Sequence, residues 1–140
     1  FKIGPFPHGN AAFNYEYVIA TAFLFGSVKP EHMTDKAIHN PQVAEFIKKI
    51  KITRADDVEF EKARMTVTTK DGRKLTENAT KIKGEPKENP MTHDDIIAKY
   101  WVNVDFSGKI SKKKATELLD KLLNLEKVES IRKLIPLLVA

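Results

Sequence analysis

The first strong feature of the chain is a mostly apolar run, Phe13 to Gly26 ("FNYEYVIATAFLFG"), which predicts a helix over about Phe13 to Phe25 with Gly26 in the left-handed position that ends it. The run is shorter than the ~20 residues that span a bilayer, and Asn14 and Glu16 sit at its head, so it reads as a buried helix that needs a partner surface. Before it, Gly4, Pro5, Pro7, Gly9 and Asn10 predict an irregular lead-in. After it, a short helix is expected beyond Thr34. A second begins at Asn40-Pro41, an N-cap followed by proline at the first helical position, with Val43, Phe46, Ile47 and Ile50 as its buried face. A strand is expected directly behind, over Ile50 to Thr53.

The period then changes from 3.6 to 2 in "ARMTVTTKDGRKLTENATKIKG", where Met65, Val67 and Thr69 alternate toward one face. Asp71-Gly72 reads as a two-residue type I′ hairpin turn, which predicts antiparallel strands of about Arg64 to Lys70 and Arg73 to Lys81. Gly84, Pro86 and Pro90 break regular structure as far as Thr92. Thr92 with Asp95 resembles a capping box, and Ile96, Ile97, Tyr100, Trp101 and Val104 continue as one apolar stripe. Ser111 caps the next predicted helix, carrying Ala115, Leu118, Leu119, Leu122 and Leu123. A last short helix carries Val128, Ile131, Leu134 and Ile135 until Pro136 disturbs it. Each buried Leu or Ile contributes roughly 1.5 to 3 kcal/mol. The expected class is α+β: a small antiparallel sheet with a β-hairpin and helices packed on one face.

Composition narrows the function classes. At 140 residues, 41% hydrophobic and 31% charged, the chain is expected to be one folded domain rather than a disordered or fibrous segment. The absence of cysteine removes disulfides, thiolate metal sites and a cysteine nucleophile together, and suits a cytoplasmic location. The net charge of +5 favours anionic partners, but acids and bases alternate and the dense run Lys112-Lys113-Lys114 has no aromatic interleaving, which weighs against nucleic acid. The opening "FKIGPFPHGN" has neither an initiator methionine nor a signal-type segment and reads as the continuation of something longer.

Candidate chemistry is sparse. His8, His32, His39 and His93 have no metal-site spacing, and no HExxH, GxSxG, GxGxxG or GxxxxGK[ST] motif occurs. His93 is expected to face solvent at the start of a capped helix, and His8 to lie in the lead-in without an identifiable partner. Asp56, Asp57, Glu59 and Glu61 read as a solvated edge in preference to paired catalytic carboxylates. Asn78-Ala79-Thr80 fits the glycosylation triplet, which carries little weight without a secretory signal. Tyr15 and Tyr17 stand at the head of the apolar helix, where a tyrosine is most often a core residue with one partner for its hydroxyl.

The order of Tyr17 nine residues before Gly26, "NPQV" ahead of a helix, the "DGR" hairpin and "KGEPKENPMTHDDIIAKY" resembles the C-terminal region of the MmgE/PrpD family, which includes 2-methylcitrate dehydratase, cis-aconitate decarboxylase and iminodisuccinate epimerase. The resemblance implies that residues 1–140 are a single α+β domain, the C-terminal part of a larger two-domain lyase acting on a small di- or tricarboxylic acid. It implies no metal or organic cofactor, an N-terminal helical domain that supplies the catalytic histidines and aspartate, a homodimer, and no activity for this chain alone. One position, Tyr17, matches the family's substrate pocket, where a tyrosine hydroxyl hydrogen-bonds a carboxylate. Methylcitrate dehydratases carry acidic and histidine residues just before that tyrosine; this chain has Ala11, Ala12 and Phe13, which weighs against methylcitrate itself. The competing reading is a non-catalytic interaction module or a basic nucleic-acid-binding domain.

Overall fold

A computed structural model describes residue 4 and residues 7–59 and 62–139. Among these, seven α-helices, three 3-10 turns and one two-stranded antiparallel sheet form the α+β arrangement expected. From Pro7 onward the lead-in is not irregular. Residues Pro7–Ala12 form helix α1, with Pro7 in the opening turn, where its missing N–H and preset φ cost nothing. Burial of Ala11 against Tyr17, Ala20, Ile38 and Val43 offsets the weak helix propensity of Gly9. Pro5, in the same predicted lead-in, lies outside the described residues.

Helix α2, Tyr15–Phe25, starts two residues later than its apolar run because Asn14 caps it, accepting from the Tyr17 N–H at 2.7 Å. Gly26 ends it at φ 69°, its N–H donating to the Ala22 carbonyl. The helix buries one face, Tyr17, Ala20 and Thr21, while Phe23 and Phe25 stay partly exposed. A 3-10 turn over Pro30–Met33 and helix α3, Asp35–Ile38, lead to helix α4, Pro41–Ile47. Asn40 caps α4 through the Gln42 N–H, as its sequence position requires, and Val43 with Phe46, Ile47 and Ile50 closes the first core. Phe23 and Phe46 meet with ring centroids 5.4 Å apart, tying α2 to α4.

The strand expected over Ile50 to Thr53 does not form. Its apolar residues belong partly to the α4 face, and no described segment offers a ladder to pair with. The hairpin does form, as β1, Ala63–Thr68, and β2, Lys74–Ala79, in a register running from Ala63↔Ala79 to Thr68↔Lys74. Its turn is longer than the two-residue form. The Gly72 N–H bonds the Thr69 carbonyl at 3.0 Å and the Thr69 N–H bonds the Arg73 carbonyl at 2.9 Å, leaving Lys70, Asp71 and Gly72 as a three-residue loop with Gly72 at φ 85°. Both strands are largely exposed, and among the described residues no helix packs broadly on either face. The expected helix layer on the sheet is absent among the described residues because Met65, Val67 and Leu75, with the small Ala63 and Ala79, supply its apolar face, too little area to hold a helix.

Helix α5, His93–Ser107, carries the complete capping box: Asp95 accepts the Thr92 N–H at 2.8 Å and the Thr92 hydroxyl accepts the Asp95 N–H at 3.1 Å. Ser111 caps helix α6, Lys112–Leu123, and the Tyr100 hydroxyl donates to the Ala115 carbonyl at 2.7 Å, joining α5 to α6. Leu118, Leu134 and Leu137 form a second small core with Tyr100, Ile110 and Val128. The last helix differs from expectation. A 3-10 turn, Ile131–Lys133, is followed by helix α7, Ile135–Leu138, which contains Pro136 in its first turn; the proline opens this helix instead of disturbing it.

Candidate functional site

The residues with chemical potential gather where α1, the 30–33 turn, α3 and the end of α2 meet. Tyr17 lies beneath that corner, 1% exposed, and its hydroxyl donates to the His32 backbone carbonyl at 2.6 Å. Burial pushes the Tyr17 phenol above its ordinary pKa, with the neighbouring Thr21 hydroxyl opposing that shift. The group therefore acts as a hydrogen-bond donor near neutral pH. Tyr15, two residues earlier, points the other way and is 75% exposed.

His8 is not in a loose segment. It sits on α1 with Nε2 3.1 Å from Oδ1 of Asp35, a partner 27 residues away that sequence spacing does not reveal. Both side chains remain largely exposed. The same Asp35 accepts from His39 Nδ1 through its backbone carbonyl at 2.7 Å. His32 accepts the Lys29 N–H on Nδ1 at 3.0 Å, and its ring stacks on Phe25 with centroids 5.1 Å apart. His32, Lys36 and His39 line an open cleft of about 500 Å³ together with Phe25. Three of the four histidines thus share one corner of the molecule. Density of polar residues in "PEHMTDKAIHN", between two helix signals, is the sequence trace of this cluster.

The remaining candidates are placed apart from it. His93 is exposed on the first turn of α5. Asp57 binds Arg64 at 2.8 Å, Glu59 binds Lys62 at 2.6 Å, and Asp56 lies 3.4 Å from Arg54. Hydrogen bonds from Arg64 and Lys62 hold Asp57 and Glu59 below their ordinary pKa values. Carboxylates so paired and solvated are a charged surface, not an acid-base couple poised near neutrality. Glu61, of the same predicted group, lies outside the described residues. Among the described residues no cluster of His, Asp or Glu has the arrangement of a metal site, and no helix is long and apolar enough to cross a membrane.

Cis-aconitate decarboxylase of Mus musculus is 28% identical to this chain over 105 residues, which cover 71% of the chain and 21% of that relative. The chain thus corresponds to about a fifth of the relative's length. Residues 8–125, which run from the second residue of α1 through α6 and include the Tyr17 corner, match the family described as MmgE/PrpD C-terminal domain. The match covers most of the chain, and on that ground the protein belongs to the MmgE/PrpD C-terminal domain family.

Proposed function

We propose that the chain is the C-terminal domain of a larger, two-domain MmgE/PrpD-type lyase that removes a proton next to a carboxylate of a small di- or tricarboxylic acid, and that it turns over no substrate alone. The observation that carries this reading is the family match across residues 8–125. A relative that is a decarboxylase, of which the chain spans a fifth, supports the lyase class and the larger parent. Such chemistry needs a base poised near neutrality and donors for the negative charge that develops. The ion-paired surface carboxylates described above do not meet the first need, which the proposal assigns to a helical domain outside this chain.

The proposal keeps Tyr17 as a substrate-pocket residue. Its hydroxyl now donates to the His32 carbonyl, so engaging a substrate carboxylate requires exchange of that bond, with the 30–33 turn giving way. The net charge of +5 favours arrival of an anion, weakly.

The test compares the 140-residue chain with a longer chain that adds the upstream helical region, on 2-methylcitrate, cis-aconitate and iminodisuccinate. The longer chain is expected to turn over one of these and the short chain none. Tyr17→Phe in the longer chain is expected to lower kcat/KM by about tenfold or more, the loss of one hydrogen bond to a charged group. Absence of turnover by the longer chain on all three sinks the enzyme reading. Unchanged kinetics in Tyr17→Phe sinks the site assignment alone.

A further inference from the structure

Each imidazole of the cleft has its proton placed by a backbone partner. The Lys29 N–H can only donate, so His32 Nδ1 is the unprotonated nitrogen and Nε2 carries the hydrogen. The Asp35 carbonyl can only accept, so His39 Nδ1 carries the hydrogen and Nε2 keeps its lone pair. The cleft therefore has one imidazole with an N–H to give and one with a lone pair to receive. Glu31 and Lys36 line the same cleft, and neither side chain forms an ion pair among the described residues. Asn40 spends its side-chain oxygen on the Gln42 N–H, which leaves its amide N–H groups as further donors. Phe25 supplies apolar lining.

The two imidazole walls are held in place from behind, while the Glu31 and Lys36 side chains keep their freedom. The Tyr17 hydroxyl anchors the His32 peptide, the ring of His32 stacks on Phe25, and the carboxylate of Asp35 is engaged by His8 while its carbonyl holds His39. Donors and acceptors fixed by second partners are what a recognition site requires.

We infer that this cleft binds a small zwitterion, an α-amino acid with an apolar side chain, its carboxylate on Lys36 and His32, its ammonium on Glu31 and His39, and its side chain on Phe25. The unpaired charges of opposite sign decide the class. A dicarboxylate would set one anionic group against Glu31, and a metal ion would meet Lys36. The cleft is broadly open to solvent, so affinity is expected in the millimolar range for a ligand of about nine heavy atoms. The inference stands on the cleft alone and does not depend on the lyase reading.

The experiment follows the histidine ring resonances of the 140-residue chain while L-leucine is added. His32 and His39 are expected to shift saturably and His93 to stay in place. 4-Methylpentanoate, which lacks the ammonium, and 3-methylbutylamine, which lacks the carboxylate, are expected to bind about tenfold more weakly or worse, as are Lys36→Met and Glu31→Gln toward leucine. No saturable shift up to about 100 mM leucine, a hundredfold above the expected range, overturns the site. Equal binding of 4-methylpentanoate and leucine overturns the zwitterion class in favour of a plain anion site. The ligand series on the unaltered chain decides the matter even where a variant fails to fold.

Discussion

Tyr17 has two roles that separate experimentally. Its ring fills the first core and its hydroxyl satisfies the His32 carbonyl, so Tyr17→Phe is expected to keep the fold and lose about 0.5 to 1.5 kcal/mol of stability, read from urea denaturation. An unchanged denaturation midpoint would mean that the carbonyl finds another donor. Asp95 offers a second test at this scale. Hydrogen bonds from the Lys83 ammonium, first, and from Thr92 lower its pKa from 3.8 to about 2. A carboxyl with a depressed folded pKa contributes stability that is present above its unfolded value and lost as pH falls through the folded one. The start of α5 is therefore expected to loosen between pH 4 and 2, seen as loss of protection at the Asp95 amide, and Asp95→Asn is expected to flatten that dependence. Equal acid sensitivity in the variant would place the titration elsewhere.

Elements bounded by local chemistry form where that chemistry stands. Asn14, Asn40, Thr92 and Ser111 each satisfy an orphan N–H at a helix start, and all but Asn14 were assigned as caps from the sequence. The hairpin shows the limit of this rule. "DG" marks the turn, but the loop closes around Lys70, Asp71 and Gly72, with the left-handed residue at the third position. Arg73 bonds Asp71 through Nε at 2.7 Å, a side-chain clamp that suits this longer loop. Gly72→Ala is expected to weaken the hairpin by about 1 to 2 kcal/mol, the cost of a Cβ in left-handed backbone, while α1–α4 keep their stability. Amide exchange resolved by residue checks both halves of that statement. Exchange that rises equally across the whole chain would show that the hairpin is coupled to the helices, contrary to its exposed strands.

At the scale of the whole molecule the two small cores leave much apolar surface uncovered. Phe13 is 92% exposed and Tyr15 75%, Ile96 on the α5 stripe is 52% exposed, and Ile131, Ile135 and Leu138 are open along the C-terminal elements. Single exposed apolar residues are ordinary, but Phe13 and Tyr15 stand two residues apart at the start of α2, both far more open than the rest of that helix's aromatic residues. The isolated chain is expected to self-associate through such surface, so that its weight-average mass in sedimentation rises above 15.9 kDa with concentration. Phe13→Ser with Tyr15→Ser is expected to reduce that rise without altering the fold, since neither side chain is in a core. A chain that stays monomeric at every concentration refutes the expectation.

Period, caps and turn residues were enough to read the α+β class and most helix positions, because these signals act over three or four residues and need no distant partner, while the family came from the order of longer motifs along the chain. Where the outcome depended on a partner, sequence reasoning lacked the term that decides. Ile50 to Thr53 has strand-like residues and no ladder to join; Ala11 turns a glycine- and proline-rich lead-in into a helix by being buried. His8 and Asp35 meet across 27 residues, and His32 and His39 are given opposite tautomers by the backbone groups beside them. The sequence alone determined the helix caps, the apolar periods and the order of motifs that marks the family. Only the tertiary structure decided which side chains face one another, because burial and pairing are properties of the packed chain and belong to no residue by itself.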